Sequence, residues 1–313
     1  MKTLIGIVTF GNLPFTQLCI NEIRATTKAP VDFFVIVGKP GDEETAQWLR
    51  QQAVDHRDLQ FHPHHKNYGF PASLNDIIDY LRDPLEPGET YDHLILVGND
   101  VVVYPGAVDA LIETARDTDY EWICGSQFDV QSLCARYPEA RPFFHGPNYE
   151  FKFVAPEVTR GTLTGNPPPH VGGYIPSGRP WELHQEFHTG LEPAAMKDVQ
   201  NLCLYKRSVF EKIGYFDVNF WPNGYFSDND YARRGNLAGV QACGVQQAAY
   251  FHFWSRTIHQ GDARPNGKYF AANAEYYQRK WGGPVGAEVR DQKSEVGIFT
   301  RAGEAAVLAQ FQT

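Results

Sequence analysis

The sequence is poor in cysteine, in basic charge and in long apolar runs, and each shortage removes a class of protein. Its five cysteines, Cys19, Cys124, Cys134, Cys203 and Cys243, are scattered, odd in number and never spaced as C-x-x-C. That pattern argues against a disulfide framework or a structural zinc site, and for reduced thiols in the cytoplasm. Lys and Arg number 28 against 37 Asp and Glu, a formal net charge of -9. An acidic surface argues against nucleic acid, or an anionic membrane gripped by general electrostatics, as a partner. No apolar stretch reaches the length of a bilayer, so no transmembrane segment is expected. Met1–Val8 reads as a strand rather than a signal peptide, because no cleavage-site pattern follows it. Internal repeats and charge blocks are lacking too. What remains is ordinary globular material, enough for one large domain or two modest ones.

Strand-like and helix-like segments alternate over the first 127 residues. Residues 3–9 are a short β-branched apolar run that ends in the turn signal Thr9–Phe10–Gly11–Asn12. Pro14 opens a predicted helix to about Thr26, and Val31–Val37 is a second strand. Asp42 is placed to cap the helix that follows. Leu59–Phe61, Asp92–Val97 and Glu121–Gln127 read as strands, and Pro71–Arg82 and the segment from Pro105 to Arg116 as helices. Such alternation predicts an α/β fold with a mostly parallel, Rossmann-like central sheet flanked by helices on both faces. The pattern then breaks. Residues 128–197 hold ten of the 21 prolines and four of the 11 histidines, including Pro167–Pro168–Pro169, with no period of 2 or 3.6. A loop-rich insertion of this length suggests a lid or binding loop, the alternative being a linker. Regularity returns with a strand over Asp198–Tyr205 and a helix over Ser208–Ile213.

Three clusters carry chemistry. In Leu94–Val101 an apolar run ends in Gly98–Asn99–Asp100. A strand that delivers a carboxylate at its C-terminal end sets a hard oxygen ligand where α/β sheets bind ligands, suited to a divalent cation that also holds phosphates. An Asn-Asp turn is the plainer reading. In residues 215–235, Asp228 and Asp230 stand between an aromatic loop (Phe220, Trp221, Tyr225, Phe226) and a short helix. Ser227 and Asp230 fit a capping box, which leaves Asp228 at the first helical position as a candidate general base. Aromatic faces beside carboxylates suit sugar rings; they also suit a core. Finally, His252 alternates with aromatics in Tyr250–Trp254, as a core residue or as a metal ligand, and Arg256 is a candidate for a diphosphate.

In this order the clusters resemble a family 2 glycosyltransferase of the GT-A fold. The resemblance rests on Thr9–Phe10–Gly11–Asn12; on Asn67–Tyr68–Gly69 through Asn75; and on Asn99–Asp100 followed by Tyr104–Pro105–Gly106–Ala107. It continues through Gly214–Tyr215–Phe216–Asp217, Ser227–Asp228–Asn229–Asp230 with Arg233, and His252 to Thr257. Three positions depart from the family's pattern. Gly38 stands where an acid reads the nucleotide base, with Asp42 as a possible substitute; Gly98 replaces the first acid of the metal motif; and Ser227 replaces the Glu before the base.

The resemblance implies a single domain over 1–257, with a nucleotide-sugar half at 1–127, the insertion at 128–197 and an acceptor half at 198–257. Residues 258–313 would be a C-terminal helical extension. It implies an inverting transfer of a hexosyl or deoxyhexosyl group from a nucleotide-diphosphate sugar to a hydroxyl of a glycan, lipid-linked or small-molecule acceptor. Asp100 and His252 would hold Mn²⁺ or Mg²⁺, and Asp228 or Asp230 would be the base. Thr9, Gly11, Asn12, Asp42, Asn67, Gly69, Asn75, Asn99, Trp221 and Arg256 would line the substrate sites. A nucleotidyltransferase, or a non-catalytic module that binds sugar nucleotides or glycans, are the competing readings.

Overall fold

The computed structural model describes residues 2–84, 90–128, 144–145, 150–151, 191–193, 201–252, 266–285 and 300–310. The apolar β-branched runs form strands β1 (Thr3–Thr9), β2 (Val31–Val37), β3 (Leu59–Pro63) and β4 (His93–Gly98), separated by helices α1 (Leu13–Thr26), α2 (Glu43–Asp55) and α3 (Phe70–Arg82). After β4 come β5 (Val101–Val103), α4 (Ala107–Asp117) and β6 (Trp122–Phe128). Short strands β7 (Phe144–His145) and β8 (Glu150–Phe151) pair apart from the main sheet, and β9 (Leu191–Pro193) joins it. The chain continues through β10 (Leu202–Lys206), α5 (Arg207–Ile213), a 3₁₀ turn at Val218–Phe220, α6 (Ser227–Leu237) and β11 (Ala242–His252). Helices α7 (Asn266–Trp281) and α8 (Arg301–Gln310) follow. The rest of the proposed insertion 128–197, and Arg256, lie outside the described residues.

The sheet order is β3-β2-β1-β4-β10-β6-β11-β5. Strands β1, β2, β3, β4, β6 and β11 run one way, while β10, β5 and β9 oppose them. The sheet is therefore mostly parallel, as the alternation predicts. Period-2 alternation sorts side chains onto two faces. Ile5, Ile7, Ile95 and Val97 point into a core covered by Ile20 and Ile23 of α1, Leu49 of α2 and Leu111 of α4. Leu4, Leu94 and Leu96 point the other way, under Ile77 and Leu81 of α3, Phe210 of α5 and Tyr231 of α6. Helix α3 lies so close to β1 that a Cβ at Gly6 would stand 2.5 Å from the Ile77 side chain.

One departure from the sequence reading places the site. Val101–Val103 looks like the continuation of the β4 run. In the structure the chain leaves β4 at Gly98, turns through Asn99–Asp100, and pairs antiparallel with the end of β11, Val101 opposite His252. Asp100 thus sits where the chain crosses from the middle of the sheet to its edge.

Among the described residues no helix is long and apolar enough to cross a membrane. Glu22 on α1 makes a pH-dependent prediction. Burial pushes its carboxyl up to about 7. Its folded-state pKa exceeds the unfolded one, so the native state holds the proton more tightly. Stability is then lost as pH rises from about 4.5 to 7 and is flat above that window. Because the group is only partly buried, the loss is on the order of 2 kcal/mol. Glu22→Gln should remove this component, so the variant's unfolding free energy should rise relative to wild type across pH 4.5–7. Parallel urea-unfolding curves for the two proteins across that window would refute it.

Candidate active site

The C-terminal ends of β1, β2 and β4 open at one mouth of the sheet. After β1, Thr9 is buried with its hydroxyl 2.7 Å from that of Thr16, and Asn99 Nδ2 donates to Thr16 Oγ1 at 3.3 Å. This ties the β1–α1 turn to the turn that carries Asp100. Asn12 starts α1 through its carbonyl, which accepts from Phe15 N and Thr16 N. The residue is buried, 2% exposed, and neither polar atom of its side-chain amide has a hydrogen-bond partner among the described residues. An orphaned buried amide in this position is what a polar ligand would satisfy. Gly11 has φ +69, and a Cβ there would stand 2.6 Å from the Lys39 side chain, so Lys39 lies across the same turn. Asp42 caps α2, its Oδ1 accepting from Thr45 N at 3.3 Å.

Two loops lock the halves of the chain together. Asn67 Oδ1 accepts from Gly69 N at 2.9 Å. The resulting turn gives Gly69 a φ of +87 and lets the Trp221 ring approach where a Cβ would be 2.5 Å from it. Phe70 N donates to Pro222 O at 2.7 Å. Asn75 is buried and spans to the strand–turn after α5: its Nδ2 donates to Phe216 O at 2.9 Å, and its Oδ1 accepts from Phe216 N at 2.8 Å. Its amide is thereby engaged with the protein itself.

Asp100 and His252, 152 positions apart in sequence, face each other. His252 Nε2 lies 3.1 Å from Asp100 Oδ1, with side chains 13% and 8% exposed. At that separation the imidazole and the carboxylate are in direct hydrogen-bonding reach of each other. Among the described residues no group of three or more His, Cys, Asp or Glu side chains converges to hold a metal ion. One carboxylate and one imidazole therefore form a two-donor set. Such a set fits a divalent cation that draws its other ligands from phosphate and water.

The carboxylates of α6 differ sharply. The capping box expected from Ser227 and Asp230 does not form. The residue before the helix is Phe226, in the left-handed region at φ +67. Ser227 Oγ instead donates back to Gly224 O at 2.6 Å. Asp230 is fully buried. Its Oδ2 accepts from Arg234 Nε at 3.0 Å, and its Oδ1 from Trp281 Nε1 at 2.9 Å, with Lys280 Nζ at 2.7 Å. Lys280 also reaches Asp217 Oδ2 at 2.6 Å. Burial alone would raise the Asp217 pKa, but Lys280, Asn219 N and the Tyr276 hydroxyl outweigh it and hold the carboxyl below its usual range. Asp228 stays partly exposed in the first turn, and its Oδ1 accepts from Asn229 N at 2.9 Å.

Sequence reasoning did not reach Lys280 and Trp281. Their only local signal was an aromatic-cationic helix end after residue 275.

No protein-family model matches the chain, and no curated protein matches it. Solved glycosyltransferase structures do share its fold. S. aureus TarS, residues 1–349, superposes with a TM-score of 0.51 at 10% identity, over 90% of this chain and 74% of that one. The same TarS fragment in complex with UDP-GlcNAc gives 0.51 at 11%, over 99% and 71%. The mannosyltransferase PcManGT from Pyrobaculum calidifontis, in complex with GDP-Man and Mn²⁺, gives 0.52 at 10%, over 98% and 73%. At such low identity the likeness establishes one thing: this chain has the mixed α/β fold of these glycosyltransferase structures.

Proposed function

We propose that the protein is a glycosyltransferase that moves a sugar from a nucleotide-diphosphate donor to an acceptor hydroxyl, by a single inverting displacement that uses a divalent metal. The observation that carries this reading is the meeting of Asp100 and His252 at the mouth of the sheet. The fold's likeness to nucleotide-sugar complexes supports it.

In this reading Asp100 and His252 would hold Mn²⁺ or Mg²⁺, which when bound neutralises charge on the donor diphosphate. The β1–α1 turn, with Asn12 and Lys39, binds the nucleotide. Asp228 is the partly exposed carboxylate of α6, and in this reading it takes the proton from the attacking hydroxyl. Asp230 instead holds the helix that carries it. The Trp221–Phe226 loop covers the acceptor side and excludes water, since hydrolysis of the donor is the competing reaction.

The test is a thermal-shift panel of nucleotide sugars with and without Mn²⁺, followed by assay of donor turnover. Ligand binding raises apparent stability by mass action, about 2.7 kcal/mol at a hundredfold excess over Kd. At least one donor is expected to shift the melting temperature only with metal present, and Asp100→Asn is expected to lose that shift while keeping the melting temperature of the unliganded protein. An unchanged metal-dependent shift in Asp100→Asn would remove Asp100 from the site. No shift with any donor would remove the transferase reading.

A further inference from the structure

Two thiols that no step above uses meet in the middle of the sheet. Cys124 on β6 and Cys203 on β10 are 79 positions apart in sequence and stand directly opposite each other in the antiparallel pairing. The hydrogen bonds along these strands fix what kind of pair it is. Lys206 N donates to Glu121 O at 2.8 Å, so that pair is hydrogen-bonded. In an antiparallel ladder the two kinds of pair alternate. Counting inward, Tyr205–Trp122 is non-hydrogen-bonded, Leu204–Ile123 is hydrogen-bonded, and Cys203–Cys124 is non-hydrogen-bonded again. The other edge of β6 agrees, because Trp122 N is turned to Gln241 O and so away from β10.

Non-hydrogen-bonded partners have Cα atoms about 4.5 Å apart, with their side chains drawn together on one face. A disulfide spans Cα separations of about 4.4–6.8 Å. One step along the same face, the rings of the like pair Trp122 and Tyr205 have centroids 4.7 Å apart. The two thiols are in hydrogen-bonding contact, and that contact, followed by burial, pushes the Cys124 thiol up. Cys203 is buried and Cys124 is partly exposed. Both pack on the face under α3, α5 and α6. Cys19 and Cys243 belong to the core on the opposite face, so neither competes for this partner. The pair also sits at a telling place in the chain. In the sheet, β10 and β6 lie between β4, which leads to Asp100, and β11, which ends in His252. In sequence, the two cysteines bracket residues 128–197.

We propose that Cys124 and Cys203 are a site of oxidative modification, closing a disulfide that staples β6 to β10 and ties the two ends of residues 128–197 together. The oxidant is a small disulfide of the glutathione class. The thiolate of Cys124, the more exposed partner, attacks one sulfur of it, releases one glutathione thiolate and leaves a mixed disulfide. The Cys203 thiolate then attacks the Cys124 sulfur and releases the second glutathione. Two protein thiols are oxidised by two electrons, one glutathione disulfide is reduced to two thiols, and the two protons pass to them. A thiol held protonated exchanges slowly, so the readout is the equilibrium rather than the rate. The site stands independently of the transferase reading.

The test equilibrates the native full chain, and a Cys134→Ser variant, with reduced and oxidised glutathione. Acid quenching, peptide mass mapping and thermal unfolding of each form follow. Both proteins are expected to give the peptide of Cys124 joined to that of Cys203, and an oxidised form that melts about 5 °C above the reduced one. Cys124→Ser, at the partly exposed position, should melt near reduced wild type and show no rise on oxidation. Cys203→Ala should likewise give no linked peptide. Absence of the linked peptide from a folded chain at an oxidising poise overturns the proposal, as does a link that forms only in urea. Pairing of either cysteine with Cys134 in wild type overturns it as well. An oxidised form that melts at or below the reduced one overturns the staple.

Discussion

Asp228→Asn is expected to bind the nucleotide sugar with wild-type affinity and to transfer sugar about 10²–10⁴-fold more slowly. The carboxylate is partly exposed, its Oδ1 accepts from Asn229 N, and the buried ion pairs of α6 with Arg234 and Lys280 are made by Asp230. An amide is nearly isosteric and can keep accepting from Asn229 N. What it cannot do is take a proton. The loss should therefore fall on turnover rather than on donor binding, and the donor-dependent thermal shift should persist. A near-wild-type transfer rate in Asp228→Asn would dismiss the residue as base.

Asp230→Asn is expected to be a folding lesion instead. Removing the Asp230 charge leaves the buried Arg234 guanidinium without its carboxylate, while Lys280 keeps Asp217, and breaking a buried pair costs about 3–5 kcal/mol. A simple helix cap would cost about 1 kcal/mol. The larger figure follows because both oxygens of Asp230 are engaged, by Arg234, Trp281 and Lys280, with no water in reach of a fully buried group. Urea unfolding should show a midpoint well below wild type, a heavy loss against total stabilities of about 5–15 kcal/mol. A variant with the wild-type midpoint but no transfer would exchange the roles of the two acids.

These two acids mark where the sequence is legible and where it is not. The parallel half of the sheet could be read because β1, β2 and β4 are continuous apolar runs punctuated by Gly and Pro, signals that are local. The order of Asp100 and His252 was also readable, through resemblance. The crossover that joins them was not, since Val101–Val103 differs in no way from a continuing β4; only its pairing partner tells them apart. Ser227 and Asp230 satisfied a local capping rule so well that the tertiary partners went unsuspected. Those partners are 51 residues away in the case of Trp281. Asn75 likewise reads as a substrate contact, yet its amide joins α3 to Phe216 across 141 positions. Phe226 gave no warning at all, because nothing in a phenylalanine announces a left-handed backbone.

The dependence of Asp230 on Trp281 and Lys280 has a temporal side. On the ribosome the chain grows at about 5–20 residues per second, so the interval between the two ends of this cluster is roughly 3–10 s. During that interval the strands up to β10 can already pair, while Asp230 has only Arg234 to neutralise it. Helix α6 thus waits, half-anchored, for a segment made later. Pausing of translation between residues 240 and 280 would lengthen the time for which Phe220, which packs on Tyr277 and Trp281, stands open to chaperones.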